Sequence, residues 1–170
     1  LKDGAPQIHP EAKNNLIFDW EIGDAAATDA AIKSAAHVTK MKIVNNRLVP
    51  NPMEPRATLG IYDEAEDHYT CYTTSQNPHV ARLVLSAFYN VAPENKLRVI
   101  APDVGGGFGS KIYIYPEEIV CLWASKRTGV PVKWNCDRTE AFLTDAHGRD
   151  HVSTIKMAFD ANNRITGFKV

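Results

Sequence analysis

Apolar and polar positions change period several times along the chain, and each change predicts an element. From Asp24 to His37 the run DAAATDAAIKSAAH is alanine-rich and suits a short helix. In the following VTKMKIVNNRLV, Met41 and Ile43 alternate with Lys40 and Lys42, as a half-buried strand requires. Strands are expected again at Ala57 to Tyr62 and His68 to Thr74, separated by the acidic turn DEAED and able to lie side by side in one sheet. Asn77 then stands at a helix N-cap with Pro78 at the first helical position, and Val80, Leu83, Val84 and Phe88 keep a helical period to about Asn90. After the turn APEN, KLRVIA reads as a buried strand that runs straight into a glycine-rich loop.

A second helix carries EEIVCLWASKR and stops at Gly129. Pro116 lacks an N–H and is tolerated only in a first turn, so this helix begins no earlier than about Tyr113, and the glycine loop is expected to feed its N-terminus. PVKWNC follows as a strand, Asp137 and Glu140 form a capping box for the short helix TEAFLTD, and HVSTIKMAFDANNRITGFKV is a hairpin turning at Asn162-Asn163. The fold class is therefore α+β, a mixed sheet with helices, with a local strand-helix-strand-helix pattern from 68 to 128.

Composition narrows the function classes. In 170 residues, 19 basic side chains balance 20 acidic ones without a basic run, which argues against nucleic acid or an anionic membrane as partner. No apolar stretch approaches a membrane span. The three cysteines, 71, 121 and 136, are odd in number and lack C-x-x-C spacing, which points away from structural disulfides and toward a reducing, cytoplasmic location. Residues 1–18, broken by Gly4, Pro6 and Pro10, read as a linker or incoming segment, and 19–170 as the first part of a domain.

Candidate chemistry centres on VIAPDVGGGFGSKIY, residues 99–113. A Walker-type loop would put lysine directly after its last glycine, whereas Ser110 separates Gly109 from Lys111. A dinucleotide fingerprint would need a third glycine where Ser110 stands. Two readings remain: a loop that aims backbone N–H donors at an anion, or a tight turn packed on a neighbour. Gln76 precedes the other helix start. If the two strands entering these junctions are parallel neighbours, Gln76 and the loop open on one sheet edge and share a ligand; otherwise Gln76 is an ordinary solvated loop residue. Phe108 is either an anchor pinning the loop to the core or a side chain beside that ligand. His147 and His151 have H-x3-H spacing, but Gly148 between them and the strand beyond argue against a metal site. Glu54, in NPMEPRA, reads as the exposed centre of a turn in preference to a buried acid.

Taken together, TTSQNPH before a helix, RVIAPDVGGGFGSK, VKWNCDRTEAF and GRDH resemble the molybdopterin-binding large subunit of the xanthine dehydrogenase and aldehyde oxidase family, which includes aerobic carbon monoxide dehydrogenases. The resemblance implies a molybdopterin (molybdenum cofactor) site with Gln76, Gly106, Gly107, Phe108 and Gly109 as cofactor-binding residues. Gln76 would hydrogen-bond the oxygen-bearing side of the molybdenum centre, with Phe108 beside it. It implies hydroxylation of an aldehyde, carbon monoxide or a similar small carbon substrate with water as oxygen source. Electrons would leave through an iron-sulfur small subunit and an FAD medium subunit, in an oligomer when full length. Purine-oxidising members carry a glutamate immediately after the loop lysine; Ile112 stands there, which makes purine a poor substrate. The family's catalytic glutamate and arginine-containing loop lie beyond the equivalent of Val170, so no catalytic residue is expected within these residues, and the piece alone is expected to be inactive. The competing reading is a non-catalytic anion-binding or subunit-assembly module.

Overall fold

The structure is a computed structural model and describes residues 4–170; the first three residues of the expected linker lie outside the described residues. The chain divides into two compact units, one made of residues 1–43 and 152–170 and one of residues 44–151.

In the first unit, residues 4–24 form only a short 3-10 turn at Lys13–Asn15. Helix α1, Ala25–Ser34, starts where the Asp24 carboxylate accepts the Ala27 N–H at 2.8 Å, a cap that relieves one of the unpaired donors of the first turn. Strand β1, His37–Asn45, lies in a three-stranded sheet with β6, His151–Phe159, in the middle and β7, Ile165–Lys169, beyond it. Strands β6 and β7 form the expected antiparallel hairpin, and Asn163 takes the positive φ of 61° that its turn needs. Helix α1 packs on β7, where Gly167 lets it approach: a Cβ there would lie 3.1 Å from Ala31 Cβ. Strand β1 receives no such cover, so Met41 and Ile43, expected to be half-buried, are exposed.

The second unit is built on a four-stranded sheet in the order β4 (Leu97–Ile100), β3 (His68–Thr73), β2 (Ala57–Asp63), β5 (Val132–Asn135). Strands β2 and β3 pair antiparallel as expected, and β5 pairs antiparallel with the other edge of β2. Strand β4 runs parallel to β3, from Tyr69↔Leu97 to Tyr72↔Ile100. Parallel neighbours need a crossover, and helix α2, Pro78–Ala87, supplies it. The expected face of α2 is shifted. Ala81 and Leu85 are wholly buried while Val80, Leu83 and Phe88 are exposed, because the small Ala81 lets the helix settle on the sheet beside Leu97. Asn77 occupies the N-cap position without a side-chain cap bond; its N–H donates to Ser75 Oγ instead.

Helix α3, Pro116–Thr128, ends at Gly129 with φ 71° and lies across β2. Gly60 makes this possible, since a Cβ there would stand 2.5 Å from the Cys121 carbonyl carbon. Beyond the last residue of β2 paired with β5, the Tyr62 N–H donates to the buried Ser125 hydroxyl on α3 at 2.9 Å. Tyr69, Cys71, Leu85, Ala92, Leu97 and Leu122 form the core between sheet and helices. Helix α4, Arg138–Thr144, begins with the capping box of Asp137 and Glu140 that its sequence announces. All three cysteines are unpaired and buried, and burial pushes the Cys71 thiol up to about 12.

Glu118 is buried at the start of α3, where it accepts the Tyr115 N–H at 2.8 Å and the Thr73 hydroxyl at 3.1 Å. Burial raises its carboxyl pKa above the usual 4.5, only partly offset by those two bonds. A carboxyl raised on folding contributes stability that is complete below its unfolded value and lost as pH climbs through the folded one. Urea unfolding of full-length protein at about pH 5 and about pH 7 should therefore show wild type gaining on Glu118→Gln as pH falls. An equal gap at both pH values would contradict this assignment.

Candidate functional site

Parallel pairing of β3 and β4 places their C-terminal ends on one sheet edge, and both strands run from there into unusual loops. Residues 74–77 leave β3 toward α2, and residues 101–115 leave β4 toward α3. The two loops are bonded to each other. Gln76 donates its backbone N–H to the Lys111 carbonyl at 2.9 Å, while its side-chain Oε1 accepts the N–H of Gly109 at 2.9 Å and of Lys111 at 3.3 Å. Gln76 is thus no isolated solvated residue. Its carbonyl side is fixed by the loop, which leaves the Nε2 amide as the outward donor.

The glycines have two distinct reasons. Gly106 and Gly109 take φ of 88° and 96°, which few side chains tolerate. Gly105 and Gly107 make room for this chain's own side chains: a Cβ on Gly107 would collide with the Gln76 amide, and one on Gly105 would stand 2.5 Å from Glu54 Cβ. Phe108 sits among them at φ 51° and is 76% exposed. The anchor reading of Phe108 fails, since an anchor would be buried.

The loop leads into α3 as expected, with Pro116 at the first helical position; residues 110–115 stand between the last glycine and the helix, whose start is already served by Glu118, which takes the Tyr115 N–H. A helix N-terminus is therefore not what the glycines offer. Glu54 is not the exposed centre of a turn: its Oε2 accepts the Gly105 N–H at 2.8 Å and the Lys111 ammonium at 2.8 Å. Burial pushes the Glu54 carboxyl up, but the hydrogen bonds from Lys111 and Gly105 and the lysine charge outweigh it, and the pKa lies below the usual value. Lys111 itself is fully buried. Fifty-seven residues separate this pair, so no local pattern announced it. The signal available was the lone acid between Pro52 and Pro55, ahead of the buried Arg56.

Among the described residues no group of histidines, cysteines and acids is arranged to hold a metal ion. No helix among the described residues is long and apolar enough to cross a membrane. What the two loops do offer is a donor set. The N–H groups of Gly107 and Phe108 and the Nε2 of Gln76 find no acceptor among the described residues, while those of Gly105, Gly106 and Gly109 are taken. Neutral donors around an exposed ring suit an oxygen-rich, anionic group with a flat body.

Residues 8–170 match the model of the molybdopterin cofactor-binding domain. The chain belongs to that family. Within the molybdopterin cofactor-binding domains, it is 38% identical over 161 residues to the carbon monoxide dehydrogenase large chain of Hydrogenophaga pseudoflava, covering 95% of this chain and 20% of that one. It is likewise 38% identical over 168 residues to the nicotine 6-hydroxylase large subunit of Paenarthrobacter nicotinovorans, covering 98% and 20%. The solved reconstituted CO dehydrogenase from Oligotropha carboxidovorans superposes with a TM-score of 0.77 at 39% identity, over 86% of this chain and 18% of that one. The chain thus spans about a fifth of the length of the curated relatives it matches.

Proposed function

We propose that this chain forms one wall of the cofactor site in a molybdenum hydroxylase that oxidises an aldehyde, carbon monoxide or a similar small carbon substrate, with water as the oxygen source. The observation that carries the reading is the locked Gln76 amide beside the glycine loop, in a domain of the molybdopterin-binding family. Gln76, Gly106, Gly107, Phe108 and Gly109 hold the cofactor, with Gln76 and Phe108 nearest the metal. When bound, the molybdenum cofactor supplies oxygen transfer and a two-electron acceptor. The chain's own residues orient and shield. Gln76 Nε2 donates a hydrogen bond without adding charge, the Gly107 and Phe108 N–H groups add further donors, and the Phe108 ring keeps water from one side.

The proton-handling glutamate and an arginine loop belong to the remainder of the full-length subunit, residues 19–170 being the first part of its molybdopterin-binding domain. Iron-sulfur and FAD partner subunits carry the electrons away, in a cytoplasmic oligomer; relatives named as large chains and the unpaired cysteines support this part.

The test uses the full-length protein purified with its partners. It should carry molybdenum and incorporate oxygen from isotope-labelled water into an aldehyde or similar substrate. Hypoxanthine should be turned over poorly, because Ile112, half-exposed just past the loop lysine, cannot accept a purine N–H. A full-length protein without molybdenum would overturn the reading in favour of an assembly module. Efficient hypoxanthine oxidation would overturn the substrate class.

A further inference from the structure

Among the described residues, Lys111 is the bulkiest of the fully buried side chains, and its ammonium has a single acidic partner there, Glu54. One carboxylate oxygen of Glu54 binds that ammonium and the Gly105 N–H together, which fixes the start of the glycine run. The backbone of Lys111 fixes the end of the run, through its N–H and carbonyl bonds to Gln76. Between those two fastenings the chain passes through left-handed φ at Gly106, Phe108 and Gly109. Phe108 is the one residue of the three with a side chain, and its exposed ring draws no support from the core of this chain. The conformation of the crest is thus held from its two ends, together with the bonds that the Ser110 N–H and hydroxyl donate to the Gly107 carbonyl within it.

We propose that the Glu54–Lys111 pair positions the site: by pinning the glycine run at both ends, it holds Gln76 Nε2 and Phe108 in the arrangement that meets the cofactor. Lys111 acts through the loop. Its charge is neutralised within the protein, so it is no direct ligand of an anionic group, unlike the lysine of a Walker-type loop. This inference rests on the proposed cofactor site and assigns the residues that preorganise it.

The full-length holoenzyme tests it. Replacing both members together, Glu54→Leu with Lys111→Met, removes the two charges at once and leaves neither buried alone, so the unfolding temperature should stay near wild type. Glu54→Asp is the second variant; it keeps the charge but shortens the arm, so that one oxygen no longer reaches both Gly105 and Lys111. At equal molybdenum content, both variants should speed amide exchange in the peptide covering residues 104–111 by about tenfold or more. Both should also change the electron paramagnetic resonance signal of the molybdenum centre and lower kcat on the order of 10- to 100-fold.

A purely structural pair predicts something else: once stability is matched, exchange, resonance signal and kcat all return to wild type, and that result overturns the proposal. Gln76→Ala, measured alongside, separates this from failure of the functional reading. If Gln76→Ala is slow and the pair variants are not, only the positioning role falls. If Gln76→Ala is also at wild-type rate, the cofactor site itself is misplaced.

Discussion

Arg56→Met should destabilise the full-length protein by about 3–5 kcal/mol, the range for removing one partner of a buried ion pair. The Arg56 side chain is only 4% exposed, and its Nε donates to Asp145 Oδ1 at 2.6 Å, where the Asp145 side chain is 2% exposed. Its two terminal nitrogens reach Glu117 at 3.1 Å and the Thr144 hydroxyl at 3.0 Å, and the guanidinium lies 3.6 Å from the centre of the Tyr115 ring. Burial alone would lower the arginine pKa, but the bonds and charges of Asp145 and Glu117 reverse that, and the pKa lies above its usual value. The cation therefore holds the start of α3 to the end of α4. Methionine fills much of the volume and none of the charge, leaving the Asp145 carboxylate buried and alone. The double change Arg56→Met with Asp145→Leu should recover most of the loss, because it removes both charges from the low-dielectric interior. Chemical denaturation of wild type, Arg56→Met, Asp145→Leu alone and the double variant measures the coupling. A single variant within about 1 kcal/mol of wild type would show that water reaches this ion pair.

What could be read in advance follows from how local each cause is. Strand alternation, the Asp137–Glu140 capping box, Gly129 and the Asn162-Asn163 turn act within a few residues, and the elements they mark are present, although α1 stops at Ser34 and α2 at Ala87, short of the expected His37 and Asn90. Convergence of Gln76 with the glycine loop was also legible, because consecutive strand-helix units favour parallel neighbours whose loops share an edge. Burial was less so. The four-residue spacing of Val80 and Val84 is as periodic as that of Ala81 and Leu85, and only the sheet selects between them. Met41 and Ile43 look like a strand's inner face, but nothing in this unit covers β1. Of the two readings left open for the glycine loop, packing on a neighbour describes Gly105 and Gly107, which yield to Glu54 and Gln76. Glu54, Lys111, Arg56 and Asp145 are long-range pairs between charged residues, and such residues usually mark solvent. Their partners are set by the fold alone.

Gln76→Ala in the full-length enzyme should cost on the order of 2–3 kcal/mol of transition-state stabilisation, the scale for losing one preorganised donor. The structure makes Gln76→Glu the sharper variant. Gln76 uses its Oε1 to accept from Gly109 and Lys111, and a glutamate oxygen can accept the same two N–H groups, so the loop keeps its fastening. What changes is the other end of the side chain, where an amide donor becomes an anionic oxygen facing the proposed site of an anionic cofactor. Loss of the donor is then joined by repulsion between like charges, and Gln76→Glu should be slower than Gln76→Ala. In the alanine variant the Gly109 and Lys111 N–H groups also lose their acceptor, so part of its cost is loop disorder. Amide exchange across residues 104–111 separates the two contributions: faster in Gln76→Ala, unchanged in Gln76→Glu. Both variants should be compared with wild type at equal molybdenum content and unfolding temperature, by turnover of the natural substrate. Wild-type rates in both would return Gln76 to the role of loop fastener and remove this junction from the active site.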